Sequence, residues 1–339
     1  MTIYICGGSN SVLHNGWTAD FRTLNAHHDL KNISIGATSG LTGHYRAVFC
    51  EDMQAGDVLI WEYNLNDAGQ VQRPDSSSAF VLRYLEMLLA HCAERGIRVL
   101  PLIFVNEDME ARPDHHPHTQ AVMALFSHWG LTCIDIQARF RSHLGTDQIP
   151  GEFFSKVNHY RPGTSIIAFI ANCVTEALDH CTVPVASQRQ LSDPSCRLEF
   201  VTDFNAESEV CGTQLFSAPA WTPSDNLRCT FDHDGRFVAA VLMGTALGGV
   251  ISIRTENWSL NLSGVLARVA AVRPRLSPSF YDLTQFPPLT FERGETLHVG
   301  WGTAQENLIS GSTNMREATT EEVAGREARV YGFLTEALM

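Results

Sequence analysis

Short uninterrupted apolar runs alternate with longer stretches of helical spacing through the first 180 residues, and this alternation restricts the fold more than any other feature of the chain. The apolar runs are Ile3–Cys6, Asn32–Ile35, Asp57–Trp61, Arg98–Phe104 and Leu131–Asp135. Strands apolar on both faces belong to a parallel sheet covered on both sides, because the helical crossovers occupy both faces. Between them, Ser76–Ser78 offer capping hydroxyls. Val81, Leu82, Leu85, Leu88, Leu89 and Cys92 then recur on one helical face, and Gly96 stands where that helix stops. A last helix is expected with Pro162 in its first turn and Ile166, Ile167, Ile170, Cys173, Val174 and Ala177 as its buried stripe. The expectation is an α/β/α layered domain over residues 1–182.

The pattern changes beyond about residue 182. Pro184 and Pro194 bracket a Ser/Gln-rich link, and helical periodicity fades. Strand-like runs follow at Arg197–Val201, Leu227–Phe231, Phe237–Leu242, Val250–Arg254, Val265–Val272 and Thr296–Trp301, separated by Gly, Asn, Asp and Pro. Residues 190–339 therefore read as a second, all-β sandwich-like domain. The longest uncharged stretch, Phe237 to Ile253, contains Gly244, Gly248 and Gly249 and falls short of the roughly 20 apolar residues of a membrane helix. It reads as strand–turn–strand, and no membrane span is expected.

The formal net charge is −13 over 339 residues, with no Lys/Arg run. Nucleic acid is an unsuitable partner for such a chain, since affinity for a phosphate backbone comes from clustered Lys and Arg. Nine cysteines, none in a C-x-x-C pair, predict reduced thiols in a cytoplasmic protein. The opening Met-Thr-Ile-Tyr-Ile-Cys has neither a basic nor a long apolar segment, so no signal peptide is expected.

Four loops carry the residues with chemical potential. Gly7-Gly8-Ser9 follows the first strand, at the edge where open α/β sheets place ligands, and its glycines let the chain turn sharply. Gly36 follows the second strand and lets a backbone N–H approach a reacting oxygen. Asn66, after the third, offers a side-chain amide donor. His159 sits in the loop before the last helix, within reach of the first strand's tip. Taken singly, each reads equally as a turn, a cap or a surface residue.

Taken together and in this order, they resemble the SGNH hydrolase superfamily, also called GDSL-like esterases, over about residues 1–180. The resemblance implies a flavodoxin-like α/β/α sandwich with a five-stranded parallel sheet. It implies Ser9 as nucleophile, His159 as general base, and an oxyanion hole built from Ser9, Gly36 and Asn66, with no cofactor and no metal. The chain departs from the family pattern at Gly8, where the GDS motif has Asp, and at Asn64, where G-x-N-D has Gly. It departs again at Lys156, which occupies the place of the acid in D-x-x-H. A lysine cannot orient an imidazole as that acid does. A backbone carbonyl in a Ser-His dyad, a substitute acid such as Glu152 or Asp147, and loss of catalysis are the alternatives. The resemblance further implies a small acyl ester, acetyl foremost, on a carbohydrate as substrate. Sugar O-acetyl transfer at the same site and a degenerate scaffold that binds glycan or protein are the competing readings. There is no G-x-S-x-G elbow, H-E-x-x-H or P-loop. The run Asp114–His118 is more in keeping with a solvated loop than a metal site, and His27-His28 reads the same way. Trp221, Trp258 and Trp301 read as core rather than as a sugar platform.

Overall fold

The computed structural model describes residues 1–71, 78–112, 114–155, 159–186, 188–213, 216–265, 277–283, 288–302, 308–309 and 326–338. The chain divides into two compact units, Met1–Ser192 and Asp193–Met339.

The strands of the first unit are β1 (Thr2–Gly7), β2 (Asp29–Asn32), β3 (Val58–Glu62), β4 (Arg98–Ile103) and β5 (Ile134–Asp135). They pair in parallel in the order β2-β1-β3-β4-β5. This is the flavodoxin-like order, and the fold class expected from sequence is the one observed. The helices are α1 (Trp17–Leu24), α2 (Gly40–Tyr45), α3 (Asn64–Gln70), α4 (Ser78–Arg95), α5 (Glu107–Glu110), α6 (Pro117–His128), α7 (Ile136–Leu144) and α8 (Ser165–Ala177). Alternate residues of each strand feed opposite cores. Ile3, Ile5, Val58 and Ile60 pack with Trp17 and Phe21 of α1, Phe140 of α7 and Ile166 and Ile170 of α8. Tyr4, Cys6, Leu59 and Trp61 pack with Leu85 and Leu88 of α4 and Val122 and Phe126 of α6. The central strands β1, β3 and β4 are mainly apolar because the period-2 alternation meets a helical layer on each side, whereas the edge strand β2 (Asp-Leu-Lys-Asn) is not.

Three sequence-based boundaries move. The second strand spans Asp29–Asn32, not Asn32–Ile35. Ile33 and Ile35 still bond to β1, but the Ser34 hydroxyl accepts from Gly7 N–H and donates to Ile5 O, replacing a ladder rung. The fifth strand is only Ile134–Asp135. Gly130 turns left-handed (φ +69°) and Leu131 N–H caps α6 by donating to Phe126 O, which removes Leu131 from the sheet. The last helix begins at Ser165, so Pro162 precedes it, in a turn that Gly163 (φ +81°) completes. The α4 helix starts at Ser78; Ser76 and Ser77 lie outside the described residues.

The segment after α8 is fastened by one buried acid. Glu86 of α4 accepts from the Gln190, Leu191 and Ser192 amides at 2.6–2.7 Å and from Ser192 Oγ. Burial raises its pKa, but these bonds outweigh burial and hold the carboxyl below its ordinary range. Its stabilising contribution is therefore complete above that range and is lost as the pH falls through the lowered value. Glu86→Ala is expected to destabilise the protein by about 3 kcal/mol at neutral pH. Urea unfolding should show the gap between wild type and variant closing below about pH 4.

The second unit contains, among its described residues, β6 (Cys196–Val201), β7 (Glu209–Gly212), β8 (Ser217–Ala220), β9 (Arg228–Thr230), β10 (Gly235–Gly244), β11 (Val250–Arg254), β12 (Ser259–Ser263), β13 (Ser277–Asp282), β14 (Thr290–Phe291), β15 (Thr296–Trp301), β16 (Leu308–Ile309) and β17 (Arg329–Leu338). One sheet runs β13-β10-β17-β6, with β14 also on β10. The other runs β16-β12-β11-β15-β9, and β7 and β8 pair separately. Ala240, Leu242, Val330 and Phe333 of the first sheet share a core with Ile251, Ile253, Leu262 and Val299 of the second. The uncharged stretch from Phe237 to Ile253 is strand–turn–strand, and it crosses from one sheet to the other. Of the expected strand Val265–Val272, Val265 forms a bridge with Thr245, and residues 266–272 lie outside the described residues. No described helix is long and apolar enough to cross a membrane.

Candidate active site

The turn after β1 is shaped by what its glycines admit. A Cβ on Gly7 would sit 2.7 Å from Glu62 Oε2, and one on Gly8 would overlap the Asn66 carboxamide, with Asn66 Cγ at 2.8 Å. Both positions therefore exclude side chains. Ser9 follows as the first residue of a single 3-10 turn, Ser9–Ser11. Gly8 N–H donates to the Glu62 backbone oxygen at 3.0 Å, and Ser11 Oγ donates to Glu62 Oε2 at 2.7 Å. The turn is thus tied to the end of β3, and Ser9 is left half-buried.

His159 arrives from the far end of the unit. Phe154 and Tyr160 form an antiparallel bridge, Ser155 N–H donates to His159 O at 2.7 Å, and Arg161 N–H donates to Phe153 O at 2.8 Å. Tyr160 anchors this segment twice. Its N–H donates to Asn10 Oδ1 at 3.1 Å, and its hydroxyl accepts from Val105 N–H at 3.2 Å. Asn10 thereby joins the serine turn to the histidine segment directly. The outcome is a 2.6 Å contact between His159 Nε2 and Ser9 Oγ. Burial lowers the His159 pKa, which keeps the imidazole neutral at pH 7. With Nδ1 protonated, Nε2 accepts the Ser9 hydroxyl proton.

The substitute acids do not reach the imidazole. Asp147 and Glu152 are exposed, and no hydrogen bond joins either to His159. Glu152 sits in a short 3-10 turn (Gly151–Phe153) and Asp147 in the loop after α7, both open to solvent. No carboxylate charge contributes to the His159 shift. Lys156 and Asn158 lie outside the described residues. What the described residues supply is a Ser-His pair.

Gly36 lies against Ser9: a Cβ there would be 3.3 Å from both Cα and Cβ of that residue. Ala37 next to it is left-handed (φ +58°), a conformation that costs an L-residue about 1–2 kcal/mol. Neither the Ser9 nor the Gly36 amide has an acceptor among the described residues. Asn66 occupies the first turn of α3 with its carboxamide against Gly8. That turn is locked from both sides. Asn64 exchanges two hydrogen bonds with the Phe104 backbone, at 2.7 and 3.0 Å, and Asp67 Oδ1 accepts from Gly40 N–H at 2.7 Å. The departure at Asn64 thus has a physical role, because its side chain extends the β3–β4 connection beyond the ladder. Ser9, Gly36, Asn66 and His159 are brought together. Asn10, Ser11 and Glu62 were missed by sequence reasoning, and Asn64 was noted only as a departure from the motif. The one available signal was polar residues interrupting apolar strand ends, as in Trp61-Glu62-Tyr63.

Elsewhere, the histidines of the 114–118 run diverge. His115 pairs with Asp135 at 2.8 Å, whereas His118 bonds Ser78 Oγ at 2.6 Å. His27 and His28 contact each other, with ring centroids 4.1 Å apart. Trp221 and Trp258 donate to the Ala206 and Thr290 carbonyls and pack on the core of the second unit.

No protein-family model and no curated protein matches this chain. Solved structures match about half of it. A Bacillus subtilis protein, YXIM, is 14% identical with TM-score 0.42, and the match covers 53% of this chain and 56% of that one. The chain thus spans little more than half the length of that protein. A GDSL-like lipase from Parabacteroides merdae is 16% identical with TM-score 0.42, covering 52% of this chain and 95% of that one. An acetyl xylan esterase, AlAXEase, is 13% identical with TM-score 0.43, covering 52% and 99%.

Proposed function

We propose that the chain is a serine esterase of the SGNH type, acting through a Ser9–His159 dyad. The observation that carries this reading is the 2.6 Å contact between Ser9 Oγ and His159 Nε2, made across 150 residues of sequence at the carboxyl edge of the sheet. Ser9 Oγ attacks the ester carbonyl carbon while its proton passes to His159 Nε2. The oxyanion is held by the Ser9 and Gly36 amides and by the Asn66 carboxamide. The imidazolium returns its proton to the leaving alkoxide, giving an acyl-Ser9 intermediate. A second hydroxyl, deprotonated by His159, then attacks the acyl carbon and frees Ser9. The site needs no cofactor for these steps.

The substrate proposed is a small acyl ester, acetyl foremost, on a carbohydrate. It rests on the resemblance of the Asn64–Asp67 and His159–Gly163 segments to SGNH proteins of polysaccharide modification. Water as second acceptor makes the chain an esterase, and a sugar hydroxyl makes it an O-acetyltransferase. The cytoplasm is the proposed location, in keeping with nine free thiols.

The test is covalent labelling with a fluorophosphonate, mapped by mass spectrometry, alongside turnover of p-nitrophenyl acetate and an acetylated oligosaccharide. A single adduct on Ser9 with release of nitrophenol is expected. Absence of both would overturn the reading.

A further inference from the structure

Glu62 ends β3 and is wholly buried, and among the described residues its side chain is bonded only to the turn that carries Ser9. Oε2 accepts from Ser11 Oγ–H at 2.7 Å and from Gly8 N–H at 3.1 Å. Oε1 is buried without a hydrogen-bond partner among the described residues. Among the described residues, the titratable groups that act on it electrostatically are Asp67 from α3, Cys6 from β1, the adjoining Tyr63, and Tyr160 from the segment after His159. None of them is a cation.

An ionised carboxyl here would be a buried charge with one oxygen unbonded and an acid nearby. A neutral one leaves a single O–H unpaired, which costs far less. Burial pushes the Glu62 pKa up to about 8, the Ser11 and Gly8 bonds pull against burial, and the Asp67 charge adds to the rise. Resting on the Ser9 reading above, we propose that Glu62 is the positioning residue of the nucleophile turn, a neutral carboxyl that clamps Gly8 and Ser11 and whose ionisation disables Ser9. The chemistry explains the second half. The substrate's carbonyl oxygen becomes the oxyanion against the Ser9 amide, next to Gly8, and a carboxylate bonded to Gly8 would set a like charge against it in a water-poor site. A neutral acceptor holds the same geometry without that opposition.

The test is the ratio of Ser9-dependent p-nitrophenyl acetate turnover at pH 9 to that at pH 7, in the full chain and in Glu62→Gln. Turnover by Ser9→Ala is subtracted as background. The amide keeps the acceptor oxygen but has no proton to lose in this range. The wild-type ratio is expected to be about one tenth, as one deprotonation near pH 8 requires, while the E62Q ratio stays near one. The same ratio in both chains would overturn the proposal. A 13C carboxyl titration of the wild-type chain, with the Glu62 resonance assigned by through-bond correlation to its own backbone, serves if the variant fails to fold. A midpoint near 8 supports the proposal, and one in the ordinary carboxylate range overturns it. Absence of Ser9-dependent turnover at both pH values is the separate failure of the hydrolase reading. The carboxyl titration then still decides whether the clamp is neutral.

Discussion

A Ser9→Ala chain is expected to turn over p-nitrophenyl acetate about 10²-fold more slowly than wild type, and His159→Ala by the same factor, with the double variant no worse. Residues that act as one unit fail together, so the second removal adds nothing. The size follows from the missing acid. In a complete Ser-His-Asp set, loss of the serine or histidine costs about 2 × 10⁶-fold and loss of the acid alone about 3 × 10⁴-fold. A pair without a carboxylate has only the remainder to lose. Single-variant losses above about 10⁴-fold would show a carboxylate serving His159. Additive losses would mean that the two residues do not act in one step. The pH profile carries the same information. A base works in its neutral form, and burial lowers the His159 pKa from its ordinary 6.5. The rate should therefore hold as the pH falls through 6.5 and decline only below it.

Placing the aspartate of the GDS motif at position 8, Gly8→Asp, is expected to damage the site rather than improve it. The loss in kcat should reach at least about 10²-fold, since misplacement by about 1 Å is enough for that. Stability should fall by about 1–3 kcal/mol, the usual cost of overpacking. The Cβ alone would overlap the Asn66 carboxamide, and the new carboxylate would join Glu62 and Asp67, two acids already in contact electrostatically. Gly8→Ala should show most of the effect, which separates crowding from charge. Thermal unfolding and steady-state kinetics on both variants check this. Unchanged kinetics in Gly8→Asp would mean that Asn66 does not occupy that space during turnover.

Buried strands were the easiest part of the chain to read. Runs such as Val58–Trp61 are apolar because helices cover both their faces, and nothing competes with that signal. The second and fifth strands shifted because a side-chain hydroxyl, Ser34, and a helix cap, Leu131, took backbone partners that composition does not reveal. The final strand, Arg329–Leu338, escaped notice although it lies between β10 and β6. It carries a buried Glu336, which looks like surface until Arg236 is found paired to it across the sheet. The site divides in the same way. Ser9 and His159 were legible through the resemblance of four loops taken together and in order, since each loop alone reads as a turn or a surface residue. Glu62 and Asn10 were not, since their significance lies in their partners, 51 and 150 residues away in sequence.

That separation along the chain also sets an order of assembly. The serine turn is made first, and the histidine segment that bonds it leaves the ribosome 150 residues later. At about 5–20 residues per second the nascent Ser9 waits on the order of 10–30 s for His159. On the proposed reading a half-made chain carries an inert serine, and acyl transfer would begin only when the first unit has closed on itself.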